Sequence, residues 1–242
     1  MRRVCLFDVN ETLLDLAALD PHFARVFGDA GMRQAWFRQL LESALTSTVT
    51  GAYADFATIG RAALQMTAQR AGVELRDEDQ TAIAEQLQQL PPHAEVPGGL
   101  ERLRRAGFRL AALTNSTERV ARAQLKHAGL VTLFEQVLSA DAVRRLKPAP
   151  EPYRMAAERL GVGVGEVRLI AAHSWDVAGA QRAGCATAFI ARPGKVLDPL
   201  VDRPDVVGAD LTEVADRILT PPMAACACAY PDQRAPVHSL SR

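Results

Sequence analysis

Four short stretches of this 242-residue chain hold the side chains able to do chemistry. In "VCLFDVNETLLDL" an apolar run leads straight into Asp8, with the amide Asn10 two places on. "LTNST" supplies Thr114, Asn115 and Ser116; "RLKPAPEPY" supplies Lys147 and Tyr153; "AAHSWDVAGA" supplies His173, Trp175 and Asp176. A carboxylate at the end of an interior strand is costly to bury unless it is paired. Together the four stretches offer a carboxylate, a hydroxyl and amide cluster, a lysine and a second carboxylate. His173 is able to titrate near neutral pH.

These residues can act together only if the fold brings them to one place. Short apolar runs at Val4–Phe7, Phe108–Leu113, Gln136–Ser139, Val167–Ala172 and Ala186–Ile190 read as strands apolar on both faces, as in a parallel sheet covered by helices. Helical patterns lie between them at Gly98–Arg105, Glu118–His127, Pro150–Leu160 and Val177–Arg182. Gly107, Gly129, Gly161 and Gly184 follow as stops. This alternation predicts an α/β fold with a Rossmann-like, doubly wound parallel sheet. Ligands of such sheets sit beyond the carboxyl ends of the strands, and all four stretches fall there. From Asp15 to about Pro92 the strand pattern is replaced by helical periodicity in "AWFRQLLESAL", "YADFATIGRAALQMTAQRAG" and "DEDQTAIAEQLQQL". The expected organisation is a core of residues 1–14 and 93–219, a helical cap of residues 15–92, and a flexible tail from 220 to 242.

Composition narrows the function classes. Lysine plus arginine equals aspartate plus glutamate, 28 each, so nothing favours nucleic acid or an anionic membrane surface as partner. No apolar run approaches the roughly 20 residues that span a bilayer. Asp8 interrupts the apolar stretch after Arg2 and Arg3, which argues against a signal peptide. Of the four cysteines, Cys5 and Cys185 sit in apolar runs and read as buried thiols, which suits a reducing, cytoplasmic setting. Cys226 and Cys228 have one spacer between them and no clear partner ligands for a metal.

"FDVNETLLD", "LTNST", "LKPAPEPY" and "AAHSWDVAGA" together resemble the motifs of the haloacid dehalogenase superfamily over about residues 3 to 218. The resemblance implies a Rossmann-like core with a cap inserted after the first motif. Most of that superfamily are magnesium-dependent phosphatases, in which an acid two residues after the nucleophile protonates the leaving group and paired acids around the fourth motif bind the metal. Here those places hold Asn10, which cannot donate a proton and regenerate as an acid does, and Ala172. The chain is instead similar to the metal-free type II (L-2-haloacid) dehalogenases, to which the Trp175–Asp176 pair and Tyr153 also correspond.

That resemblance implies displacement of halide from a short 2-haloacid by Asp8, followed by hydrolysis of the aspartyl ester. Asp176 is the implied base or orienter for water, and Lys147 the implied partner of Asp8. Thr114 and Asn115 would hold the substrate carboxylate or steady Asp8; Tyr153 would line the pocket; His173 stands where an asparagine is common. No cofactor or metal is implied, and a homodimer is. One departure stands out. The branch receives halide on an arginine directly after a cap tryptophan, whereas Phe37 follows Trp36 here and Arg38 comes one later, about 100° further round a helix.

Each residue also has a plainer role open to it. Asp8, Asp176 and Thr114–Ser116 could only cap turns or helices, Lys147 could be a solvated turn lysine, and Trp36, Phe37 and Tyr153 could only pack. Two further functions compete: a phosphatase with an eroded acid, disfavoured by Asn10 and Ala172, and a degenerate binding domain, disfavoured by Asp8.

Overall fold

The computed structural model describes residues 4–220, so Cys226, Cys228 and nearly all of the expected 220–242 tail lie outside the described residues. Strand β1 (Val4–Phe7) is buried along its whole length. Its side chains alternate between two apolar layers: Cys5 and Phe7 face one, Val4 and Leu6 the other. Five more strands join it, β2 (Arg109–Thr114), β3 (Gln136–Ser139), β4 (Val167–Ala171), β5 (Ala186–Ile190) and β6 (Val206–Gly208). All pairings are parallel, in the order β3-β2-β1-β4-β5-β6. This order reverses beside β1, which places the crevice of a doubly wound sheet at the carboxyl ends of β1 and β4. In register, Phe7 lies opposite Ala112 of β2 and Ile170 of β4, so Asp8 is level with Leu113 and Ala171, and the residues after Thr114 and Ala171 emerge at the same sheet edge one or two positions beyond it.

Helices α5 (Val96–Arg105), α6 (Glu118–His127) and α9 (Leu211–Leu219) cover the face of Cys5 and Phe7. Helices α7 (Pro150–Arg159) and α8 (Ser174–Ala183) cover the face of Val4 and Leu6. Helix α8 approaches very closely. A Cβ at Gly179 would lie 2.5 Å from the Pro148 carbonyl and 2.7 Å from the Tyr153 hydroxyl, so only glycine permits this contact.

Between β1 and α5 the described chain is helical: α1 (Asp20–Phe27), α2 (Met32–Thr50), α3 (Phe56–Ala71) and α4 (Asp77–Leu87). Trp36, Leu40 and Ala44 recur every four residues along α2 and pack as one stripe, with the Trp36 ring 5.4 Å from Phe23 of α1. Trp36 Nε1 donates to the Gly60 carbonyl at 3.0 Å and ties α2 to α3. Asp55 caps α3 by accepting from the Ala57 and Thr58 amides at 3.0 Å each, a device worth about 1 kcal/mol. The chain leaves and rejoins the sheet layer side by side. Leu14 bridges Pro92, the Asp15 amide donates to the Pro91 carbonyl at 2.8 Å, and the His93 amide to the Leu13 carbonyl at 3.0 Å.

Candidate active site

The first turn past β1 is built to hold Asp8 still. The Asp8 amide donates to the Ile170 carbonyl at 3.1 Å, and the chain then folds back so that the Leu13 amide reaches the Val9 carbonyl at 2.9 Å. Glu11 takes a left-handed φ of 60° to make the bend, which costs about 1–2 kcal/mol for a side chain with a Cβ. It is fixed there from several directions. Lys195 donates to it at 2.5 Å, a His173 ring nitrogen stands 2.9 Å away, and Arg33 lies at 3.9 Å. Arg192, just beyond β5, donates to the Thr12 carbonyl at 3.0 and 2.6 Å and so clamps the same turn from the other side.

Asp8 is 5% exposed, and its oxygens are occupied. Oδ1 accepts from Lys147 Nζ at 2.9 Å, and Oδ2 accepts from the Thr12 hydroxyl at 2.6 Å with His173 Nδ1 at 3.2 Å. The Thr12 oxygen in turn accepts from the Ala172 amide at 2.9 Å, which ties the β1 and β4 ends together. Burial alone pushes the Asp8 carboxyl up, but Lys147, His173 and Thr12 together outweigh it and hold the acid well below the usual carboxylate range.

Lys147 uses all three of its N–H bonds: to Asp8, to Asp176 Oδ2 at 2.6 Å and to the Leu113 carbonyl at 3.1 Å. Burial lowers its pKa, yet the two carboxylates more than offset this and keep it an ammonium. Its backbone is pinned by Asn115, whose Oδ1 accepts from the Lys147 amide at 2.7 Å and whose Nδ2 donates to the Lys147 carbonyl at 3.2 Å. Asp176, in the first turn of α8, is fully buried and also accepts from the Tyr153 hydroxyl at 2.5 Å. Burial and then the Asp8 charge raise the Asp176 pKa, while Lys147 works the other way. Burial lowers the His173 pKa, but Asp8 and Glu11 raise it further than burial lowers it, so the ring favours the imidazolium form.

These groups face a narrow cavity of about 20 Å³ lined by Asp8, Asn10, Phe37, Thr114, Asn115, Lys147, His173 and Trp175, together with Leu41 and Phe56. The Thr114 hydroxyl accepts from the Ser116 amide at 3.1 Å and Asn115 serves Lys147, so neither bonds Asp8 directly. Tyr153 lies beneath Asp176 and is not on the cavity wall. Trp175 stacks on His173 with ring centroids 5.1 Å apart, and its Nε1 is a buried N–H with no hydrogen-bond acceptor. Asn10 accepts from Gln124 of α6 at 3.2 Å. Thr12, Glu11, Arg192 and Lys195 were not singled out from the sequence. The only cue to Thr12 is its position four residues after Asp8.

A family model described as haloacid dehalogenase-like hydrolase matches residues 2–184. The chain belongs to the haloacid dehalogenase-like hydrolases. Within that family it is similar to "(S)-2-haloacid dehalogenase 1" of Pseudomonas sp. (strain CBS-3), 31% identical over 80% of this chain and 86% of the relative. It is also similar to "(S)-2-haloacid dehalogenase 4A" of Burkholderia cepacia, 31% identical over 79% of this chain and 84% of the relative. The solved L-2-haloacid dehalogenase of Xanthobacter autotrophicus with chloropropionic acid covalently bound superposes with a TM-score of 0.84 at 26% identity, covering 90% of this chain and 98% of that one. The sequence thus places the chain in the L-2-haloacid dehalogenase branch of the family.

The magnesium common elsewhere in this family does not fit the residues present. Both Asp176 oxygens are taken, by Lys147 and Tyr153, and Ala172 offers no side-chain oxygen. Phe37, where the branch carries its arginine, is 8% exposed, 6.1 Å from the His173 ring and 5.9 Å from Lys195 Nζ. Arg38 is exposed and lies off this wall. It lines a separate cavity of about 560 Å³ shared with Arg33, Arg192 and Lys195.

Proposed function

We propose that this protein hydrolyses the carbon–halogen bond of 2-haloacids, with Asp8 as nucleophile and no metal. One Asp8 oxygen attacks C2 and forms a C–O bond as the carbon–halogen bond breaks, its electron pair leaving with the halide. Water then adds to the Asp8 carboxyl carbon and the bond to the product oxygen breaks. The net reaction takes a 2-haloacid and water to a 2-hydroxyacid, halide and a proton. Halide leaves without needing a proton, so an amide at position 10 is sufficient.

The observation that carries this reading is the buried row Asp8–Lys147–Asp176. Lys147 keeps Asp8 charged, and with all three N–H bonds spent it positions both carboxylates. Asp176, with both oxygens engaged by Lys147 and Tyr153, is proposed to act through Lys147, orienting it and Asp8 for the attack of water. Trp175 Nε1, the buried N–H without an acceptor, is the donor proposed for halide in place of the arginine absent at 37, and Thr114 and Asn115 line the side proposed for the substrate carboxylate. Tyr153 acts through Asp176, and Asn10 and Phe37 bound the pocket. Arg38 has no part in this reading. The covalent chloropropionic acid named for the Xanthobacter structure supports an ester intermediate.

We further propose a core of residues 1–14 and 93–219 with residues 15–92 as cap, a cytoplasmic setting supported by the free buried thiols Cys5 and Cys185, and, on likeness alone, a homodimer. Among the described residues no helix is long and apolar enough to cross a membrane.

The test is halide and phosphate release by the purified protein from 2-chloropropionate and p-nitrophenyl phosphate, each with magnesium and with EDTA. Halide release that survives EDTA and vanishes in Asp8→Ala is expected. Magnesium-dependent phosphate release without halide release would overturn the proposal.

A further inference from the structure

The cavity at Asp8 is small, about 20 Å³. Behind two of its walls lies a larger one. A cavity of about 210 Å³ opens between α2, α3, α4 and α6, and it shares Asn10, Phe37 and Phe56 with the Asp8 cavity. Its inner wall is mainly hydrocarbon, with Leu40, Leu64 and Ile83, while the exposed Arg61 and Arg119 stand at its rim and Gln80 and Gln88 complete it. Gly60 also lines it, and a Cβ there would come within 3.3 Å of Leu40. The missing side chain lets α2 and α3 close over the cavity without filling it.

The geometry of displacement directs one substituent toward this space. When Asp8 approaches C2 from the side opposite the halogen, the carboxylate, the hydrogen and the side chain of C2 spread around the line of attack. The polar wall at Thr114 and Asn115 suits the carboxylate. The remaining wall is Phe37 and Phe56, and the 210 Å³ cavity lies directly past it.

Resting on the proposed dehalogenase reading, we infer that the cavity between α2, α3 and α4 is an alkyl-chain subsite, so that this enzyme selects 2-haloacids with an extended apolar side chain over 2-chloropropionate. Contact with a chain remote from the reacting carbon is equal in the ground and transition states. It therefore lowers KM and leaves kcat little changed. Each methylene transferred from water to this wall should raise kcat/KM about fourfold until the space is full.

The experiment measures kcat and KM for halide release from racemic 2-chloropropionate, 2-chlorobutyrate, 2-chlorohexanoate and 2-chlorooctanoate. Wild type is compared with Ala84→Trp and Ala57→Trp. Both alanines line the cavity and are exposed, so the larger rings enter from the rim without disturbing packed core. The expected result is a KM that falls from the three-carbon to the six-carbon acid in wild type, with the six-to-three ratio of kcat/KM collapsing toward one in both variants. A KM that is flat or rises with chain length in wild type, while 2-chloropropionate is turned over, overturns the subsite and leaves the dehalogenase reading intact. A chain-length advantage that persists in both variants also overturns it. Halide release from none of the four acids overturns the dehalogenase reading and the subsite with it.

Discussion

Replacing Lys147 by methionine removes an ammonium and keeps most of the side chain's volume. The three acceptors at 2.6, 2.9 and 3.1 Å lose their donor together, and two buried carboxylates are left facing each other. Breaking a buried ion pair from one side costs about 3–5 kcal/mol. For a chain of this size that corresponds to a Tm lowered by about 6–20 °C. The deficit must depend on pH. In the wild type Asp8 sits below the usual carboxylate range, so its stabilisation is fully present above about pH 4 and is lost only as pH falls through its lower native value. Without Lys147 both carboxyls move up, and Asp176 rises further above its unfolded value than it does already. They then take up protons in the folded state first as pH falls, and the variant recovers stability. Urea unfolding at pH 7 and pH 5, followed by the fluorescence of Trp36 and Trp175, measures both quantities. A deficit under about 1 kcal/mol at pH 7, or one of equal size at pH 5, would refute the reasoning.

His173 gives a prediction of opposite sign. Its native pKa is raised, so its stabilisation is full below the unfolded imidazole value near ~6.5 and is lost as pH rises through the native value. The stability advantage of wild type over His173→Asn should therefore be larger at pH 6 than at pH 9 in urea unfolding, and a pH-independent difference would argue for a neutral ring. In Gly179→Ala the new Cβ would meet the Pro148 carbonyl and the Tyr153 hydroxyl at 2.5 and 2.7 Å. A loss of about 1–3 kcal/mol and a lower kcat are expected, because Tyr153 is pushed off Asp176. Unchanged kcat despite the lost stability would mean that Tyr153 does not act through Asp176.

The sheet was legible because its strands are short, continuous and apolar on both faces. Val4–Phe7, Gln136–Ser139 and Ala186–Ile190 were placed to the residue. β6 was missed, since three residues carry no readable alternation. Of the site, the residues legible from the sequence sit at strand ends, where topology alone brings Asp8, Asn115, Lys147 and Asp176 together. The turn that fixes Asp8 was not legible. Thr12 and Glu11 look like ordinary polar turn residues, and Glu11 gains its role from partners distant in sequence, His173 and Lys195, the latter 184 positions away. Arg38 illustrates the converse. It stands one residue past the place of the branch's arginine, and that single step along α2 turns it outward.

The side-by-side crossing at Leu14 and Pro92 has an evolutionary consequence. Asp8, Lys147 and Asp176 come from the sheet layer, whereas Phe37, Leu41 and Phe56 come from the helices between those two crossing points. A stretch of chain whose two ends already touch is exchangeable as a cassette, because another of different length can be spliced in without altering the register of β1 against β2. On the proposed reading part of the pocket wall thus lies in a segment separable from Asp8, and recombination at two neighbouring points would reshape that wall while leaving the nucleophile in place.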